Sequence, residues 1–166
     1  MILGLSVQAF IQLHVAISLI AIVTGLVAMP ALASGRWLSG WQAVFLFTTA
    51  ATSITGFLFP FRGVTPALMT GVISVAILVV SFVALYGLGL KGRARAAYAV
   101  SATAALYLNL FVLVVQGFLK VPALQAIGPT QASPAFIVAQ TLVLGLSVVL
   151  GYFAVTGART ARPATA

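Results

Sequence analysis

The sequence predicts an all-α membrane protein, a bundle of five transmembrane helices with its N-terminus outside and its C-terminus in the cytoplasm. Three observations lead there. The 166 residues are 63% hydrophobic and 5% charged, whereas a soluble domain carries roughly a quarter charged residues to cover its core. The apolar residues gather into five runs, each of about the 20 residues or more that cross a ~30 Å hydrocarbon layer as a helix. Basic residues are shared unequally between alternate loops, the pattern expected when short cytoplasmic loops hold the excess of Lys and Arg.

The first run covers about residues 8–33 and stops at Ser34-Gly35-Arg36. Ala31-Leu32-Ala33 has the small-x-small form of a leader cleavage site. The run is nevertheless far longer than the roughly 7 to 15 apolar residues of a leader, and no Lys or Arg precedes it, so a retained helix is expected. The second run, 41–61, meets Arg62-Gly63, and the third, 66–90, meets Lys91-Gly92-Arg93. The fourth, 97–119, gives way to a Pro-containing stretch from Lys120 to Pro134, and the fifth is 134–157. A β-barrel would need alternation of polar and apolar residues over about ten positions, and Val72 to Leu85 shows none. Residues 1–158 therefore form one membrane domain, followed by a short basic cytoplasmic tail, 159–166.

Five crossings place Arg36, Lys91, Arg93, Arg95, Arg159 and Arg162 on one side and Arg62 and Lys120 on the other. The six-to-two split orients the chain. The net charge of +8 suits anionic lipid headgroups as partners. Nucleic acid is not an expected partner, because the charges are divided among short loops and form no aromatic-interleaved patch.

Small and polar residues at helical spacing mark the faces expected to pack. They are His14, Ser18, Ala21, Gly25 and Ala28 in the first span, and Thr48, Thr52, Thr55 and Gly56 in the second. The third has Gly71, Ser74 and Ser81, the fourth Ala102, Ala105, Asn109, Gln116 and Lys120, and the fifth Gln140, Ser147, Gly151 and Ala154. Trp37, Trp41 and Tyr98 lie near span ends, where aromatic rings anchor at headgroup level. Amides and imidazoles facing lipid lack partners, so the larger polar groups should turn inward. His14, Thr55, Gln116 and Gln140 fall in the outer half and Asn109 near the midplane, beneath Arg62 and Lys120. The apolar stretch Val121 to Pro129 is expected to lie along the outer interface or fold over the bundle mouth.

Composition removes most chemistry. With no Asp, Glu or Cys and one His, there is no carboxylate acid, base or cation site and no thiol. Three or four donors for zinc or copper are lacking too. No catalytic residue is expected. Ser18 lies one turn from His14, a spacing that chance often supplies. Haem through His14 would need a second His14 from a symmetric copy, or Met29 or Met69 as the other ligand.

The segment Leu106-Tyr107-Leu108-Asn109-Leu110-Phe111-Val112-Leu113-Val114-Val115-Gln116, with Lys120-Val121-Pro122-Ala123-Leu124 and Pro129-Thr130-Gln131, resembles a family of small uncharacterised bacterial multi-pass membrane proteins. His14 and Thr55-Gly56-Phe57-Leu58-Phe59-Pro60 fit the same resemblance. The resemblance covers about a quarter of the chain. It implies the bacterial inner membrane and carries no activity to transfer.

The expected role is non-covalent binding or passage of a small neutral or anionic solute, or of a lipid headgroup. The expected site is a polar pocket of His14, Thr55, Asn109, Gln116 and Gln140, gated by Arg62, Lys120 and the Pro122 to Pro134 loop. With only 17.1 kDa to enclose a site, a homo-oligomer or a place in a membrane complex is also expected. The alternatives are a scaffold whose polar groups only join helices, and a haem- or quinone-contacting redox subunit.

Overall fold

The computed structural model describes residues 2–59 and 66–161. Six α-helices follow in order: α1 (Val7–Ala33), α2 (Ser39–Phe57), α3 (Pro66–Phe82), α4 (Ala94–Lys120), the short α5 (Pro122–Ile127) and α6 (Pro134–Gly157). A π-helical turn, Val83–Gly87, continues α3. Among the described residues the extended structure is one isolated bridge between Ile2 and Leu5.

Local signals set most of these boundaries. Ser6 caps α1 by accepting the Ala9 N–H at 3.1 Å, which satisfies one of the orphan donors of the first turn. At the other end Gly35 has φ +77°. Its N–H donates to the Leu32 carbonyl and that of Arg36 to the Ala31 carbonyl, the left-handed termination that glycine favours. Pro122 and Pro134 open α5 and α6, where a missing N–H costs no hydrogen bond.

Side-chain contacts fix how the helices run. Gln42 meets Ala28 while Thr55 meets His14, so α1 and α2 are antiparallel along their length. Ser53 bonds Ser74 and Phe47 packs on Phe82, so α2 and α3 are antiparallel as well. Phe118 stacks edge-on to Phe136, and a Cβ on Gly151 would rest on Thr103, which reverses direction again between α4 and α6. A Cβ on Gly157 would collide with the backbone oxygens of Leu32 and Ala33, so α6 ends beside the end of α1. The long helices thus alternate up and down in a closed ring, α1, α2, α3, α4, α6, with α1 and α4 also touching across it.

Four of these helices are long and apolar enough to cross a membrane: α1, Leu68–Gly87 with its π turn, α4 and α6. At 19 residues, α2 spans about 28 Å at the helical rise. It carries four Thr, two Ser and Gln42, which lower its apolar character. It ends at Phe57, short of the expected residue 61. Large apolar side chains cover the outside of the ring, among them Val72, Val79, Leu142, Leu146 and Phe153, each about half exposed or more.

The contiguous core lies in one half of the bundle, built on Met29, Leu32, Phe45, Leu46, Tyr98 and Leu106 with Ala94, Ala99, Ala102, Ala105 and Ala154. Small side chains on α4 and α6 let the backbones approach closely, which maximises dispersion contact where no hydrophobic drive exists between helices in lipid. The same half carries the basic loops with Arg36, Lys91, Arg93, Arg95 and Arg159. The opposite half, where the chain begins, is where His14 sits.

Candidate functional site

His14 lies two turns into α1, half-buried. Its Nδ1 is 2.7 Å from the Thr55 hydroxyl on α2. The Phe59 ring stands edge-on to the imidazole at 5.3 Å, and Phe10 packs on Phe59 at 5.1 Å. Gly56, one residue past Thr55, leaves the space beside the ring, since a Cβ there would meet His14 Cε1 at 3.8 Å. The second ring nitrogen, Nε2, reaches the surface with no hydrogen-bond partner among the described residues. The register set by Gly25 against Leu106 puts Gly117 opposite His14 and Lys120 one turn further out. Lys120 is exposed at that end.

The other expected pocket residues do not join this pair. Asn109 Nδ2 donates to the Thr49 hydroxyl at 3.0 Å, two turns deeper than Thr55. Gln140 Nε2 donates to the Phe111 carbonyl at 3.2 Å, which ties α6 to α4. Gln116 is exposed, and Arg62 lies outside the described residues. The expected single layer is therefore a set of separate pairings at two depths, because each helix offers its polar groups to its nearest neighbour. The Val121 to Pro129 stretch is partly helical. It holds α5, whose Leu124 contacts Gly117, with Gln125 Nε2 donating to the Leu119 carbonyl.

Among the described residues, two buried polar atoms have no partner: Thr52 Oγ1 and Gln140 Oε1. Both sit close to the same end as His14. At 1.5 Å per residue, Thr52, Gln140 and His14 are roughly 8 to 11 Å from their helix ends. Buried groups in native proteins are nearly always satisfied, so these two stand out.

The basic half is the reverse, and the sequence reading missed its main feature. Tyr98, expected as a headgroup anchor, is fully buried and donates to Gln42 Oε1 at 2.6 Å, while Gln42 Nε2 donates to the Ala28 carbonyl at 3.1 Å. The two side chains join α1, α2 and α4. Their signal was present: Tyr98 continues the Ala94, Ala102, Ala105 stripe, and Gln42 shares a helical face with Phe45 and Thr49. Ser81 with Ser101 at 2.8 Å adds a link from α3 to α4 in this half, while Ser53 with Ser74 at 2.9 Å joins α2 to α3 in the His14 half. Beneath Trp37, Arg95 and Tyr98 a void of about 10 Å³ remains, about enough for a single water.

The remaining chemistry is limited. The Ser18 hydroxyl donates to the His14 backbone carbonyl at 2.7 Å, so it is not aimed at the imidazole. Met29 is fully buried in the basic half, away from His14, and Met69 is half-exposed on α3. Comparison with protein-family models, curated proteins and solved structures yields no match.

Proposed function

We propose that the chain is a five-span protein of the bacterial inner membrane, with its N-terminus outside, that binds a small solute or lipid headgroup non-covalently at His14. The crossing number rests on connectivity. Helices α1 and α3 run the same way, so the chain must return between them, and α2 makes that return along the whole of α1. The less apolar α2 is tolerated because its Gln42, Thr49, Ser53 and Thr55 bond to neighbouring helices. Orientation rests on the five described cations gathered at the basic end.

The observation that carries the binding role is the clustering at one end of the bundle of His14 Nε2, Thr52 Oγ1 and Gln140 Oε1, none of which has a hydrogen-bond partner among the described residues. Thr55, Asn109 and Gln140 hold the helices around this region, and Lys120 supplies a positive rim.

A scaffold role has one observation in its favour: Asn109, Gln42, Tyr98 and the Ser pairs are all spent on helix joints. Native mass spectrometry from lipid separates the two readings, since it reports oligomer size and retained small molecules together. Retention of a small molecule by the natural chain and its loss from His14→Ala supports the site. A bare mass in both, with unchanged melting in every lipid tried, favours the scaffold. Topology is tested by single cysteines in this cysteine-free chain. An impermeant thiol reagent applied from outside should label Gln131→Cys but not Arg36→Cys, and the reverse pattern overturns the orientation.

A further inference from the structure

Resting on the proposed His14 site, the chemistry of its occupant can be narrowed. Thr55 Oγ1 is 2.7 Å from the Ala51 carbonyl, 3.1 Å from the Thr52 carbonyl and 2.7 Å from His14 Nδ1. Carbonyl oxygens only accept, and a hydroxyl has one proton to give. That proton belongs to the α2 backbone, so the hydrogen between the side chains is on Nδ1. The neutral ring is then held as the Nδ1–H form, with the Nε2 lone pair left without a partner among the described residues.

A lone pair of this kind asks for a hydrogen-bond donor. One turn above, Lys120 asks for an anion, and a chain with no Asp or Glu has no side-chain carboxylate to give it. We infer that the His14 site takes a hydroxyl-bearing phosphate ester of the glycerophosphate type, whose hydroxyl donates to Nε2 while its phosphate meets Lys120. Gly56 places no side chain against the imidazole, so a small group can approach the ring there. The same chemistry is carried by an anionic glycerol headgroup in the outer leaflet and by free glycerol phosphate.

The test uses the full chain in lipid nanodiscs. Because His14 is the only histidine, ¹⁵N-histidine labelling gives one pair of ring signals. A protonated Nδ1 and a pyridine-like Nε2 are expected, and a protonated Nε2 in the neutral ring overturns the assignment. Thermal stabilisation is then compared in phosphatidylcholine alone, with added phosphatidylglycerol, with added phosphatidylmethanol, which is anionic but lacks a hydroxyl, and with free glycerol 3-phosphate. Selective stabilisation by phosphatidylglycerol identifies a lipid source, and by glycerol 3-phosphate a soluble one. Equal stabilisation by phosphatidylmethanol keeps the binding site but overturns the hydroxyl assignment. No stabilisation by any of them overturns both. Affinity should fall at least tenfold in Lys120→Gln and in Thr55→Val, which frees the ring to change tautomer, and recover in Thr55→Ser. Thr55→Val binding as tightly as the natural chain counts against the inference.

Discussion

Replacing Tyr98 by Phe removes one oxygen from the most deeply buried polar joint of the bundle. The hydroxyl and Gln42 Oε1 are 2.6 Å apart and both residues are fully buried. The substitution leaves the Gln42 oxygen without water or donor. A buried acceptor stranded in this way costs about 1–3 kcal/mol, while polar pairs within membrane bundles average nearer ~0.6 and reach ~1.7 kcal/mol. The overlap of the two ranges gives about 1.5 kcal/mol, close to tenfold in the folding equilibrium. Gln42→Leu should cost somewhat more, because it also releases the Ala28 carbonyl. The double variant Gln42→Leu with Tyr98→Phe leaves neither partner stranded at the joint. It should therefore cost less than the two singles together, by about 1 kcal/mol, in a double-mutant cycle. Reversible unfolding in mixed micelles by titration with dodecyl sulfate measures all four corners. Strict additivity, or a Tyr98→Phe cost under ~0.3 kcal/mol, would refute the claim that the pair acts as one unit.

Gly157→Ala should be more damaging than Gly25→Ala in the same assay. The new methyl at 157 meets the fixed backbone oxygens of Leu32 and Ala33, whereas at 25 it meets Leu106 and Phe45 side-chain atoms at 2.8 Å that can turn away; overpacking costs about 1–3 kcal/mol, with Gly157 at or above the top of that span. Arg95→Lys removes the fork that donates to the Leu90 and Arg159 carbonyls, both at 2.9 Å, and should speed amide exchange over 157–161 with a loss of about 1 kcal/mol. Unchanged exchange there would show the fork to be idle. Thr52→Val deletes a buried hydroxyl that has no partner and should raise stability by roughly 0.5–1 kcal/mol while weakening ligand-dependent stabilisation; a loss of stability would mean that the hydroxyl is satisfied in the membrane.

Much of the fold was legible because the bilayer leaves few options. Lipid forces backbone groups to pair within a helix, so run length and punctuation located the long helices to within a few residues at most ends. The exceptions have local causes. Leu90 takes φ +55° after the π turn and donates its N–H to the Ala84 carbonyl at 3.0 Å, and hydropathy does not register such a termination. The candidate residues were less legible. Periodicity selects a face without naming the neighbour: His14 and Thr55, expected at similar depth, do bond, whereas Asn109 and Gln140 were grouped with them when Thr49 and the Phe111 carbonyl were nearer. Tyr98 was misjudged because an aromatic hydroxyl near a helix end satisfies two rules, and only the position of Gln42 on another helix decides between them.

The division of labour between the two halves follows from where small residues fall. On α4, Ala94, Ala99, Ala102 and Ala105 precede Leu108, Asn109, Phe111 and Gln116, so the helix changes from a surface that neighbours can approach closely to one of larger side chains. Close approach at the basic end lets Gly25, Phe45 and Leu106 meet in a three-helix contact. Beyond it, side chains on α4 are larger, and the two buried polar atoms without a partner among the described residues lie there. A bundle stabilised at one end can carry an unsatisfied polar site at the other, because stability and binding draw on different contacts. For the same reason a substitution in the Ala-rich half should change unfolding without changing ligand response. One at Thr52, Thr55 or Lys120 should change the response at little cost to unfolding, and that separation is what a uniformly packed scaffold cannot show.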